Sequence, residues 1–276
     1  ITKATFTLNA GAAHVIADKA VTIAMEGRPG PVHLDVPISV GSAEATGTGI
    51  LRTPRVAVAP TGAALERAKA ALGNARKPMI IVGVDAMTEG AAEAVLLAAD
   101  TLSAPVITTY KAKGLIPESH DLALGGAGLS PKADKILLPL VAEADVILAI
   151  NARLEENSTD GYSVLAVPEP AQRLIHVHAS DTELGKVYKP ELGVQAGPNA
   201  FVTALNAGGP VTGDWSAWRS EARAAWEAGF ELPDQPSPVD MGRVTAHLRD
   251  VLPDDAIITN GAGNFAIWSG RFLKYG

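Results

Sequence analysis

The chain has 276 residues, a formal charge of −7 and 47% hydrophobic residues, enough apolar material for one or two domains with their own cores. The acidic balance and the lack of clustered Lys and Arg argue against a nucleic-acid surface, and no apolar run approaches the roughly 20 residues that span a bilayer. With no cysteine, the chain forms no disulfide and offers no thiolate to a metal.

In chain order, Ala13, Val15, Ile16, Ala20, Ile23 and Ala24 predict an Ala-rich helix ending near Gly27. Gly27-Arg-Pro-Gly-Pro is then a turn that no helix can cross, and Val32-His-Leu-Asp-Val is a strand. One helix and one strand cannot bury their apolar faces alone, so residues 1–40 read as the end of a larger domain. Residues 41–60, rich in Gly, Ala, Thr and Pro without an apolar period, read as a linker. A helix over residues 63–72 leads into the central stretch.

Residues 78–84 and 146–150 are short, continuously apolar runs, the pattern of strands buried on both faces. Between them Ala92, Val95, Leu96, Ala99 and Leu102 recur at helical spacing, and residues 105–109 supply another strand. A loop over residues 151–170 is followed by a strand (174–178), a helical turn near residues 182–185, a short strand (193–196) and a helix (199–205). This alternation predicts an α/β fold over residues 61–210: a doubly wound, Rossmann-like parallel sheet of about six strands with helices on both faces, flanked by partial α/β segments.

Residues 211–238 read as a helix and linker. Trp215, Trp218, Ala222 and Trp226 form a stripe at helical spacing there, the mark of core or interface packing. Residues 239–276 hold a helix (241–251), a strand (256–259), a turn at Asn260-Gly-Ala-Gly-Asn264, and a second helix carrying Phe265, Ile267, Trp268 and Phe272.

Two places could hold a ligand. In the turn, glycines let the backbone approach a phosphate while helix amides point at it, although glycine after a strand is also ordinary turn chemistry. The loops after the central strands hold Gly83, Tyr110-Lys-Ala-Lys-Gly114, Gly125-Gly-Ala-Gly128 and Asn151-Ala-Arg153. All fall at the carboxyl end of the predicted sheet, where a nucleotide crevice is expected. None matches a Gly-x-Gly-x-x-Gly fingerprint or a P-loop. His176 and His178 share a strand face at a spacing that could bind metal, but no third ligand lies near them in sequence, and polar groups at a strand end are the simpler reading. No nucleophile elbow, paired carboxylates or Ser/His/Asp arrangement is found, so no catalytic residue is assigned.

Three stretches converge on one family. Gly27-Arg-Pro-Gly-Pro-Val-His-Leu-Asp-Val-Pro37 resembles the end of the pyrimidine-binding domain of thiamine diphosphate enzymes of the acetolactate synthase and 2-oxo acid decarboxylase type. Lys77-Pro-Met-Ile-Ile-Val-Gly83, Lys113-Gly-Leu-Ile-Pro117 and Ile175-His-Val-His-Ala-Ser-Asp-Thr-Glu-Leu-Gly-Lys186 look like their central domain. Thr259-Asn-Gly-Ala-Gly-Asn264 resembles the opening of their diphosphate-binding domain, and the order matches.

The resemblance implies that residues 1–40 end a pyrimidine-binding domain, residues 61–210 are the central domain, and residues 239–276 start a diphosphate-binding domain. Asn260, Gly261, Gly263 and Asn264 would face thiamine diphosphate. The intact enzyme would use thiamine diphosphate and Mg2+ to decarboxylate a 2-oxo acid and transfer the acyl group. It would be a cytoplasmic homodimer or homotetramer that touches neither nucleic acid nor membrane. The activating glutamate would precede Ile1 and the metal motif would follow Gly276, so the chain alone is expected to be inactive, with no catalytic or metal-binding residue of its own. In acetolactate synthases the central domain holds FAD, and in relatives ADP or nothing; the matching positions are Gly83, Tyr110, Gly128, Asn151 and Arg153. Asn151 stands where glycine is usual, and His178 and Ser180 where aspartates are frequent. A side chain at Asn151 would crowd a close-lying diphosphate, so the expectation is a nucleotide-shaped crevice with no cofactor bound in this chain. The residues alone leave an alternative open: a free-standing module that holds FAD, NAD or ADP without catalysis.

Overall fold

The computed structural model describes residues 2–26, 29–45, 58–89, 91–128, 135–207, 209, 211, 213–232, 234–235, 238–253 and 255–275. The chain falls into two compact units, Ile1–Ala57 and Val58–Gly276.

In the first unit, β1 (Thr5–Thr7) pairs in parallel with β2 (His33–Asp35), Phe6 lying opposite Leu34. Helix α1 (Ala13–Met25) makes the crossover that two parallel strands require. The expected lone helix and strand are therefore corrected to a strand-helix-strand unit; three residues of β1 are too few to show a period. Residues 27 and 28 of the predicted turn, and residues 46–57 of the predicted linker, lie outside the described residues. A one-turn helix, α2 (Ile38–Gly41), precedes the linker.

The second unit opens with α3 (Gly62–Gly73), capped by Thr61, whose hydroxyl accepts from Ala64 N–H at 3.2 Å. Its sheet contains β3 (Pro78–Val82), β4 (Val106–Thr109), β5 (Ala123–Ala127), β6 (Val146–Ile150), β7 (Arg173–His178) and β8 (Leu192–Gln195). All neighbours are parallel, in the order β5-β4-β3-β6-β7-β8. The chain winds outward from β3 in one direction and from β6 in the other, so the two halves diverge between β3 and β6. That divergence is the topological switch point at which α/β sheets open a crevice.

Side chains alternate across each strand, and both faces are covered. Ile80, Val82, Leu148, Ile150 and Val177 pack against α3, α4 (Ala92–Leu102) and α6 (Pro198–Ala207). Met79, Ile81, Ile147 and Ala149 pack against α5 (Leu137–Glu143) and α7 (Ser216–Ala228). Burial on both sides is why the strands read as unbroken apolar runs.

Two expectations are corrected. Residues 125–128 were expected as a loop, yet Ala123–Ala127 forms edge strand β5. Two glycines depress strand propensity, and the register with β4 slips between Val106 and Thr108, so the segment carries no period-2 signal. Conversely, residues 256–259 form no strand: no described strand lies beside them to pair with, and Ile257 is 90% exposed. Helices α8 (Met241–Val251) and α9 (Ala266–Phe272) flank this segment. The tryptophan stripe lies inside the unit: Trp218 Nε1 donates to Pro78 O at 2.9 Å and Trp215 Nε1 to Ala75 O at 2.8 Å, and Trp226 is likewise buried. It is core and supports no interface between subunits.

Candidate functional site

The loops leaving β3, β4 and β6 meet at the switch point. Gly83, Tyr110, Lys111, Asn151, Arg153, Glu155 and Ser158 line one crevice there, so four of the five expected nucleotide positions come together. The fifth, Gly128, lies against Ser158: a Cβ on it would fall 2.7 Å from Ser158 Cα.

The glycines are explained by the chain itself. A Cβ on Gly83 would fall 2.0 Å from Asn151 O and 2.5 Å from Ala152 Cα, because the backbone leaving β6 packs directly against it, with Gly83 N–H donating to Ile150 O at 3.0 Å. Asn151 adopts a left-handed conformation (φ 47°), which Asn tolerates better than most side chains. Its N–H donates to Val177 O at 2.8 Å, and its Oδ1 accepts from Ala179 N–H at 3.3 Å. The Asn151 side chain is thus engaged by the end of β7.

The mouth is a ladder of opposite charges. Lys111 Nζ lies 3.3 Å from Glu155 Oε1, Arg153 Nη1 3.7 Å from Glu155 Oε2, and Arg153 Nε 3.8 Å from Asp85 Oδ2. Asp85 Oδ2 is also 3.6 Å from His178 Nε2, an atom that is buried without a hydrogen-bond partner. The cavity within is about 10 Å³, room for roughly one water. As they stand, these residues do not fit a nucleotide: the space is small, and the cations that would meet a diphosphate already face carboxylates.

His176 Nε2 donates to Ala152 O at 2.8 Å, and burial pushes its pKa down to about 4, so the ring is neutral at pH 7. Among the described residues, no three His, Asp or Glu side chains cluster as metal ligands. The two histidines are strand-end packing groups.

The turn Asn260–Asn264 is exposed, and among the described residues the N–H groups of Gly261, Ala262, Gly263 and Asn264 make no hydrogen bond. Phe265 lies over it, with a ring atom 2.9 Å from where a Gly263 Cβ would stand. Asn260 Nδ2 donates to Gly261 O at 3.1 Å. Free amides, two glycines and no carboxylate suit an anion such as a diphosphate. Helix α9, seven residues long, adds little dipole.

A buried pair escaped the sequence reading. Lys113 Nζ donates to Glu118 Oε1, with the two side chains 11% and 1% exposed. Burial lowers the Lys113 pKa, and the Glu118 carboxylate opposes that shift. Glu118 also accepts from Tyr275 N–H at 3.3 Å, while its own N–H donates to Tyr275 O at 2.7 Å. A Lys and a Glu five residues apart carry no signal of burial, nor do Asp85 and Glu155 of their roles at the crevice.

A family model described as "Thiamine pyrophosphate enzyme, central domain" matches residues 65–205. The acetolactate synthase large subunit of Corynebacterium glutamicum is 26% identical over 272 residues, which cover 93% of this chain and 42% of that protein. The probable acetolactate synthase large subunit of Methanocaldococcus jannaschii is 28% identical, covering 92% of this chain and 45% of its own. The acetolactate synthase of Mycobacterium bovis is 25% identical across 100% of this chain and 46% of its own. The chain spans about half the length of the curated relatives it matches.

Proposed function

The chain belongs to the thiamine pyrophosphate enzyme family, whose central domain it carries, and from that premise we propose that it is part of an acetolactate synthase-like enzyme. That enzyme decarboxylates a 2-oxo acid and joins the acyl group to a second carbonyl compound. The observation that carries the proposal is that relatives named acetolactate synthase match at least 92% of the chain, including residues on both sides of the central domain. A free-standing nucleotide module gives no reason for likeness outside residues 65–205, and is not favoured.

On this reading residues 1–40 end a pyrimidine-binding domain and residues 239–276 open a diphosphate-binding domain. When bound, thiamine diphosphate supplies the electron sink for decarboxylation. The N–H groups of Gly261, Gly263 and Asn264 and the side chains of Asn260 and Asn264 would receive its diphosphate, with Mg2+ accompanying it. A cytoplasmic location and a homodimer or homotetramer belong to the same proposal on family grounds alone; among the described residues no helix is long and apolar enough to cross a membrane.

Thiamine diphosphate titration of the polypeptide that carries this chain tests the assignment. Asn264→Ala removes one hydrogen bond to a charged group and is expected to weaken affinity by about tenfold or more, with the melting temperature unchanged. Equal affinity for both proteins would contradict it.

A further inference from the structure

The central crevice disagrees with the nucleotide that its position implies, and the disagreement has a specific cause. Lys111 and Arg153 are the cations that a diphosphate at the switch point would meet, and both are answered by the chain. Glu155 bridges them, at 3.3 Å from Lys111 and 3.7 Å from Arg153, and Asp85 faces Arg153 from the loop after β3 at 3.8 Å. Two positive and two negative charges cancel at the mouth. The glycines that could admit a ligand are filled by the backbone of residues 151–152 and 157–158.

We propose that Glu155 and Asp85 are a built-in substitute for a diphosphate anion, so that the central domain is complete without FAD or ADP. An incoming diphosphate must displace both carboxylates from their cations and then sit beside them, where like charge opposes it. Glu155, which touches both cations, is the residue that decides against nucleotide. This goes beyond the thiamine diphosphate assignment and does not depend on it.

The test compares the wild type with D85N/E155Q, which keeps both side-chain shapes and removes both charges. Inorganic pyrophosphate, ADP and FAD are titrated calorimetrically, with melting curves on the same samples. The turn at residues 260–264 is identical in the two proteins, so any difference between them reports the crevice. With thiamine diphosphate saturating that turn, the wild type is expected to bind neither ADP nor FAD, and it should purify colourless. The variant should bind pyrophosphate about tenfold more tightly than the wild type, as expected when two cations lose their internal partners. Should the double variant fail to melt cooperatively, Glu155→Gln alone carries the comparison. FAD or ADP binding by the wild type with the turn at residues 260–264 saturated by thiamine diphosphate, or equal pyrophosphate affinity in the folded variant, would overturn the proposal.

Discussion

Asn151 holds a left-handed backbone (φ 47°) and its Oδ1 accepts from Ala179 N–H, while the charges that meet at the mouth of the crevice are those of Lys111, Arg153, Glu155 and Asp85. His176, on β7, is a buried, neutral group, in keeping with the simpler reading of a polar residue at a strand end. Its pKa of about 4 lies below the ordinary 6.5. Above pH 6.5 both folded and unfolded forms are neutral there and stability is unaffected. Between 6.5 and about 4 the unfolded chain takes the proton and the folded one does not, so stability falls as pH falls, by up to ~3 kcal/mol. Urea denaturation at pH 7 and pH 5 should show this loss, and His176→Gln should reduce it; parallel losses in both proteins would exclude His176 as its source.

At the level of elements, the legible parts are those with a strong period or an unbroken apolar run. Strands β3 and β6 and helices α4 and α8 fall where the pattern puts them, because burial on one or both faces wrote that pattern. Strand β5 is illegible because Gly125 (φ 73°) and Gly126 let the backbone follow Glu118 and Trp226 rather than a period. The same neighbourhood joins the loop after β4 to the segment after α9 through the buried Lys113–Glu118 pair and its two backbone bonds to Tyr275. Glu118→Gln strands a buried ammonium and should cost roughly 3–5 kcal/mol, whereas K113M/E118L, which removes both charges, should cost much less. Urea midpoints of the three proteins decide; a single variant as stable as the wild type would show that the pair holds nothing.

For the whole molecule, a doubly wound sheet could be read from alternating strands and helices, and the switch point places four of five expected crevice residues together. What could not be read is whether that crevice is open, since closure depends on charges that face each other from different loops. The fold therefore supplies a scaffold: a central domain whose crevice is lined by facing charges, and an exposed turn at residues 260–264 whose amides are unengaged. The most direct test of the central claim is pyruvate-dependent carbon dioxide release by the polypeptide that carries this chain, with acetolactate measured in the same reaction. Release and acetolactate formation that both require added thiamine diphosphate, and do not require FAD, are the predicted result. Absence of turnover with pyruvate or other 2-oxo acids, or turnover indifferent to thiamine diphosphate, would contradict it.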